Sequence, residues 1–239
     1  MKHEMTLTRE SIEAYHIGEA PAEGQWPDQR TESEVEASLD TAIAEADKDG
    51  LWLFAYGSLL WRPEFPYTER RIARVHGYHR RFCLWQWRWR GSDESPNLML
   101  ALAPGGSCTG LAYRIKKPGL REALGPVWRR EMSGGGYWPQ WLNAATDSGP
   151  LRVAAFIANR DGERYAGALS DDEVAATIAR ARGHGGTGAE YLLNTTLALE
   201  ELGVRDHMMW RMQRLVGDKL KSPTSVAHPR LVDGNSELR

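Results

Sequence analysis

The chain has 239 residues, 41% of them hydrophobic and 10 of them Trp, with a formal net charge of −2. That composition excludes wholesale disorder and the collagen-like and coiled-coil classes, and the net charge gives no reason to expect a polyanionic or membrane partner. The total conceals an asymmetry, because residues 1–50 hold 4 basic and 13 acidic side chains, residues 51–130 hold 14 and 5, and residues 131–239 hold 12 and 14.

Residues 1–30, with Pro21, Gly24 and Pro27, read as a polar lead-in, extended or poorly ordered, without chemistry of its own. Thr31 and Glu34 then have capping-box spacing, and Val35, Leu39, Ile43 and Ala46 recur at helical intervals, predicting a short amphipathic helix that docks on the domain. Leu51-Trp52-Leu53-Phe54-Ala55-Tyr56 is a continuous apolar run ending at Gly57-Ser58, a buried strand delivered into a turn. Strands are expected over 71–75 and 78–89, interrupted by Gly77, and over 98–103 and 110–115, where Pro104-Gly105-Gly106 signals a hairpin. Pro118 can open a helix to about Trp128, and 151–158 is a further apolar strand. Ser170 and Glu173 cap a helix ended by Gly183, a glycine-rich loop spans 183–188, and helices follow over 189–202 and up to Gly217.

This order predicts an α+β domain on an antiparallel or mixed sheet that can curl into a small barrel, rather than a doubly wound parallel sheet. Residues 1–50 form an acidic extension, 51–217 the domain itself, and 218–239, with Pro223 and Pro229, a loose tail. No signal-peptide stretch opens the chain and no apolar run reaches about 18 residues, so a cytoplasmic protein without a membrane partner is expected. Cys83 and Cys108 are expected as free, buried, inert thiols, and the seven histidines lie at no HxxxH spacing and the cysteines at no CxxC, so no metal site is expected.

Four segments can carry chemistry. The strand-to-turn element Ala55-Tyr56-Gly57-Ser58-Leu59-Leu60 exposes successive amides that can hold a carboxylate or an oxyanion, or it is an ordinary strand end capped by Ser58. Glu131, next to Arg129 and Arg130, can be a general base if burial outweighs the cations, or a surface carboxylate paired with them. Trp85, Trp87 and Trp89 alternate with Gln86, Arg88 and Arg90. The pattern fits a single-stranded nucleic-acid face, but period two favours a strand with its tryptophans buried and no nucleic-acid partner. The glycine run can seat an anion at a helix N-terminus but lacks the Walker lysine, which favours a flexible loop with an incidental His184.

Taken in order, these segments resemble the ChaC-like, glutathione-specific γ-glutamylcyclotransferases. The resemblance rests on Phe54-Ala55-Tyr56-Gly57-Ser58-Leu59-Leu60-Trp61, then Gly77-Tyr78, Arg90-Gly91, Gly110-Leu111-Ala112-Tyr113-Arg114, Trp128-Arg129-Arg130-Glu131-Met132, Tyr137-Trp138-Pro139 and Glu190-Tyr191-Leu192. It implies a γ-glutamylcyclotransferase-like barrel with flanking helices and release of 5-oxoproline and cysteinylglycine from glutathione, without a cofactor; the same chemistry on other γ-glutamyl amino acids or amines is the alternative. It further implies Glu131 as the acid/base, with Arg129 and Arg130 turned away from it, and residues 55–60 as the substrate-binding turn. Tyr113 and Tyr191 are cleft partners in this view, Tyr113 being equally compatible with the core. The acidic N-terminus is expected to fold back on the basic half.

Overall fold

β1 (Gly50–Ala55) is buried at all six positions, because its apolar run presents no polar face to water. In the computed structural model, which describes residues 5–25, 27 and 29–221, it joins β2 (Glu69–Gln86), β3 (Asn97–Lys116), β4 (Tyr137–Ala145) and β5 (Leu151–Ala158). The five close into a barrel in the order β1-β3-β2-β4-β5. Pairing is antiparallel except that β5 runs parallel to β1, at Leu53 and Ala154, and to β3, at Leu102 and Ile157. Six helices flank the barrel: α1 (Arg9–Tyr15), α2 (Glu32–Ala44), α3 (Leu120–Met132), α4 (Asp171–Arg180), α5 (Gly188–Glu201) and α6 (His207–Lys221). The mixed α+β barrel is therefore the one expected, and the capping boxes at Thr31 and Ser170 both form. No helix among the described residues is long and apolar enough to cross a membrane.

The strands differ from the sequence expectation in one instructive way. Pro104-Gly105-Gly106 makes no hairpin; β3 runs straight through it and pairs with β2 along nearly its whole length. The register shifts between His76 and Tyr78, where Gly77 (φ 83°) lies near Gly105 and Gly106 (φ 99° and 67°), conformations that glycine adopts without a side-chain clash. Across this bulge the buried positions of β2 pass from Ala73 and Val75 to Arg80 and Phe82, and after a second register shift between Phe82 and Leu84, Cys83, Leu84 and Gln86 are all buried. The change of parity, with β2 ending at Gln86 before Trp87 and Trp89, overturns the expected tryptophan stripe. Gln86 and Arg90 are buried, Trp85 and Trp87 only partly so, and Trp89 is 46% exposed. Burial of Gln86 is tolerated because its side-chain carbonyl accepts from Asn97 Nδ2 at 3.1 Å.

Part of the lead-in packs onto the domain. Thr8 caps α1, Leu7 is fully buried, and the Thr6 and Leu7 amides donate to Gln213 Oε1 of α6 at 2.9 and 3.1 Å. Gly217 does not end α6, which continues to Lys221; its bare Cα lets the Thr6–Leu7 peptide approach, where a Cβ would stand 2.7 Å from Thr6 backbone. The expected loose tail thus begins inside a helix, and its residues 222–239 lie outside the described residues. The acidic N-terminus meets the basic half as expected: Glu36 receives Arg121 and Arg129 at 3.0 Å each, and Ser38 Oγ accepts from the Trp128 indole at 2.8 Å. The glycine run is no flexible loop but a two-stranded turn, β6 (Arg182–Gly183) and β7 (Gly186–Thr187), whose Thr187 caps α5. Both cysteines are free and buried, and burial pushes the Cys83 thiol up to about 11.

His16, at the end of α1, has Nε2 buried without a protein partner among the described residues. Its pKa is held below the ordinary 6.5, first by burial and then by Arg182. The unfolded chain therefore takes up a proton that the folded chain refuses, so stability falls as pH drops below about 6.5. Urea midpoints measured from about pH 7.5 down to 5 are expected to fall less steeply for His16→Gln than for the unmodified protein.

Candidate active site

The turn after β1 is a single 3₁₀ turn over Ser58–Leu60, closed by Leu60 N–H to Gly57 O at 3.0 Å. The Tyr191 hydroxyl of α5 lies directly over Gly57, where an added Cβ would stand 2.7 Å from it, and faces the Ser58 backbone. Behind the turn, buried Arg80 donates from Nε to Tyr56 O at 2.6 Å, from Nη2 to Thr109 O at 2.8 Å, and pairs through Nη1 with Asp206. One guanidinium thus ties the end of β1 to β3 and to the start of α6.

Opposite the turn stands Glu131. α3 runs to Met132 rather than stopping near Trp128, so Glu131 falls in its last turn, one turn beyond buried Val127 on the same side. Its side chain is consequently only 13% exposed. Arg129 turns away to Glu36 as expected, but Arg130 does not: its Nε and Nη2 donate to Glu131 Oε1 at 3.1 and 2.8 Å while Nη1 reaches Glu64. The fork is a consequence of adjacency at a helix end, where both side chains share one exit. Both donors use Oε1, so Glu131 Oε2 is left without a protein partner among the described residues.

Turn and carboxylate share a cavity of about 580 Å³. Three buried tyrosines surround Glu131. Tyr56 donates to Phe156 O at 2.6 Å and Tyr137 to Leu100 O at 2.7 Å, which fixes both rings. Burial first, with the Glu131 charge adding to it, raises the pKa values of Tyr56, Tyr137 and Tyr191, so all three remain phenols at neutral pH. The cavity wall carries five arginines, Arg62, Arg88, Arg90, Arg130 and Arg164, against the three carboxylates Glu23, Glu64 and Glu131. Of these, Arg90 is held by Glu190 Oε2 at 2.7 Å and Thr187 O at 3.0 Å.

Of the residues singled out in the sequence, Glu131, Tyr56, Gly57, Ser58, Leu59 and Tyr191 line the cavity together. Ala55, Leu60 and Tyr113 do not. Tyr113 is 1% exposed and its ring packs against Phe65 and Tyr67, so it is core; its position on β3 opposite Leu53 turns it away from the cleft. Sequence reasoning missed Tyr137, Arg90, Arg164 and Glu23 as members of the wall. Tyr137 and Arg90 stood in recognisable motifs, but no spacing rule places the first residue of β4 beside the last turn of α3. Glu23, in the lead-in, pairs at the cavity with Arg88 and His184 at 2.9 Å each. Tyr191→Phe removes the one hydroxyl over the Gly57-Ser58 turn and is expected to lower kcat/KM about tenfold, the weight of one hydrogen bond, with the circular dichroism spectrum unchanged.

The chain is similar to known proteins in sequence and in fold. The chain is 37% identical over 172 residues to the glutathione-specific gamma-glutamylcyclotransferase of Escherichia coli, covering 71% of this chain and 74% of the relative. It is 34% identical over 170 residues to glutathione-specific gamma-glutamylcyclotransferase 1 of Mus musculus, covering 67% and 74%. A crystal structure of a yeast gamma-glutamyl cyclotransferase specific to glutathione superposes with a TM-score of 0.66 at 23% identity, over 71% of this chain and 96% of that one, which shows a shared fold. The profile of ChaC-like proteins matches residues 51–219, the span that holds the barrel, the Gly57-Ser58 turn, Glu131 and Tyr191, and the chain therefore belongs to the ChaC-like family.

Proposed function

We propose that this protein is a cytoplasmic glutathione-specific γ-glutamylcyclotransferase in which Glu131 is the acid/base. The observation that carries the reading is a single carboxylate, three-quarters or more enclosed, facing an amide-bearing turn across a cavity of small-molecule size. The names of the relatives supply the substrate class.

The chemistry is an intramolecular aminolysis. The α-ammonium of the γ-glutamyl unit is not a nucleophile, so it first gives a proton to Glu131, whose Oε2 has no competing partner. The freed amine forms a bond to its own γ-carbonyl carbon, and the carbonyl oxygen takes the negative charge. Amides of the turn, at Gly57 or Leu59, and the phenol of Tyr191 are the groups placed to receive that oxyanion or the α-carboxylate. Collapse breaks the bond to cysteine as the departing nitrogen takes the first proton from Glu131, and the regenerated carboxylate then takes the second proton from the ring nitrogen and passes it to the released amine, giving neutral-lactam 5-oxoproline and cysteinylglycine. Holding the glutamyl chain in its ring-closing conformer supplies much of the acceleration, since nucleophile and electrophile share one molecule. Excess arginine in the wall suits a substrate with two carboxylates and one ammonium.

Product analysis with glutathione, its disulfide and γ-glutamyl dipeptides side by side tests the reading. Equimolar 5-oxoproline and cysteinylglycine from glutathione, with a KM that rises modestly with ionic strength, are expected. Preferential turnover of the dipeptides would overturn the glutathione assignment and leave the cyclisation in place.

A further inference from the structure

Only part of the basic segment serves the cavity described above. Arg80 reaches Tyr56 O with one end, and with the other it meets Asp206 in a second concavity, of about 760 Å³, between β2, α4 and the start of α6. Arg74, Arg81, Arg205 and Arg211 stand around this groove together with Arg80, and His79 and His207 add two imidazoles. Its two carboxylates are already engaged, Asp206 by Arg80 and Asp171 by Arg211 at 2.8 Å. Arg74, Arg81 and Arg205 are thus left with no carboxylate partner among the described residues. Arg74 donates to Ser107 Oγ at 2.7 Å, and Arg205 lies 5.5 Å from the centre of the Trp210 ring; both are neutral neighbours.

Bringing three uncompensated guanidinium groups from β2 and the turn before α6 to one concavity costs electrostatic energy that a bound anion would relieve. The same groove exposes apolar surface from Leu169, Val174, Val204 and Met208. Cations in excess, in fork geometry, above an apolar floor suit phosphate oxygens joined to an apolar or planar group. The volume lies within the range of about 300–1,000 Å³ usual for small-ligand sites, and the groove is a bounded concavity and not a strip that tracks a polymer.

We propose that this groove is a second ligand site, for a small organic phosphate carrying more than one negative charge, held by Arg74, Arg81 and Arg205 with its apolar part against Val204 and Met208. None of these residues touches the cavity of Glu131, so the inference stands apart from the proposed reaction.

Calorimetric titration of the full chain with ATP in the presence of EDTA tests it, with tripolyphosphate and adenosine as parallel probes. Saturable one-to-one binding of ATP that persists at physiological salt is expected, about tenfold weaker for tripolyphosphate and absent for adenosine. The Arg81→Gln/Arg205→Gln double variant is expected to weaken ATP binding at least about tenfold, while its unfolding temperature and its 5-oxoproline release in the absence of ATP stay unchanged. Glutathione added to the Glu131→Gln variant should not displace ATP. No saturable binding, equal binding of tripolyphosphate and ATP, an unaltered affinity in the double variant, or displacement by glutathione would each overturn the proposal.

Discussion

Glu131→Gln is expected to lower 5-oxoproline release from glutathione by about 10²–10⁴-fold, the usual weight of a positioned acid/base. Glutamine has the same volume, and its carbonyl oxygen can still accept from Arg130, which also keeps Glu64, so the end of α3 has no reason to move. What the amide cannot do is take a proton from the α-ammonium, and the amine is then never freed. Residual turnover would come from the turn and the cavity wall, which orient the substrate without moving protons. Paired measurements of product release and thermal unfolding separate the two effects. A variant that unfolds at the same temperature and retains activity within about threefold of the parent would remove Glu131 from the mechanism.

Arg80→Met is expected to produce the largest loss of stability, about 3–5 kcal/mol, which for a chain of this size is a fall in unfolding temperature of about 10 °C. The Arg80 side chain is 1% exposed and satisfies the Tyr56 and Thr109 carbonyls as well as Asp206. Methionine fills the space but leaves two carbonyls and a carboxylate without their donor, and unpaired buried polar groups cost more than the pairing itself contributed. Asp206 also accepts the Met208 and Met209 amides at 3.1 Å each, so the start of α6 loosens with it. Activity should fall further than stability alone requires, because the Tyr56 peptide leads directly into the Gly57-Ser58 turn. Arg80→Lys, which keeps the charge but cannot span three acceptors, should lie between the two. A drop of less than about 3 °C for Arg80→Met would mean that water replaces the guanidinium and that the turn is held by Tyr191 alone.

These expectations rest unequally on sequence and on structure. The apolar run into Gly57-Ser58, both capping boxes at Thr31 and Ser170, and the ordered motifs were legible in the chain because each is a local constraint: a few neighbouring residues decide a strand, a cap or a turn. They sufficed for the fold class, while it was the resemblance to the ChaC-like family that implied Glu131 and residues 56–59 together, which share one cleft. They did not suffice for Tyr113, which alternation allowed to point either way, nor for the tryptophans of β2. Two register shifts, one at Gly77 and one between Phe82 and Leu84, reset which positions of that strand are buried, and side-chain alternation cannot reveal such shifts before the partner strand is known.

What the sequence by itself determined, then, is the kind of domain, a barrel of mixed strands with flanking helices, together with its local strands, caps and turns. Which residues complete the wall was decided only when the barrel closed. Tyr137 comes to Glu131 because β4 pairs with β5, Arg90 because Thr187 and Glu190 hold it, and Glu23 because Arg88 and His184 draw the lead-in across the cleft. The two basic concavities likewise divide one charged segment according to which sides of Arg80 its strands face. The physical reason is that local patterns fix backbone conformation within a few residues, whereas where a side chain ends up relative to other elements, up to 100 positions away for Arg90 and Glu190, follows from register and closure, which depend on every strand at once.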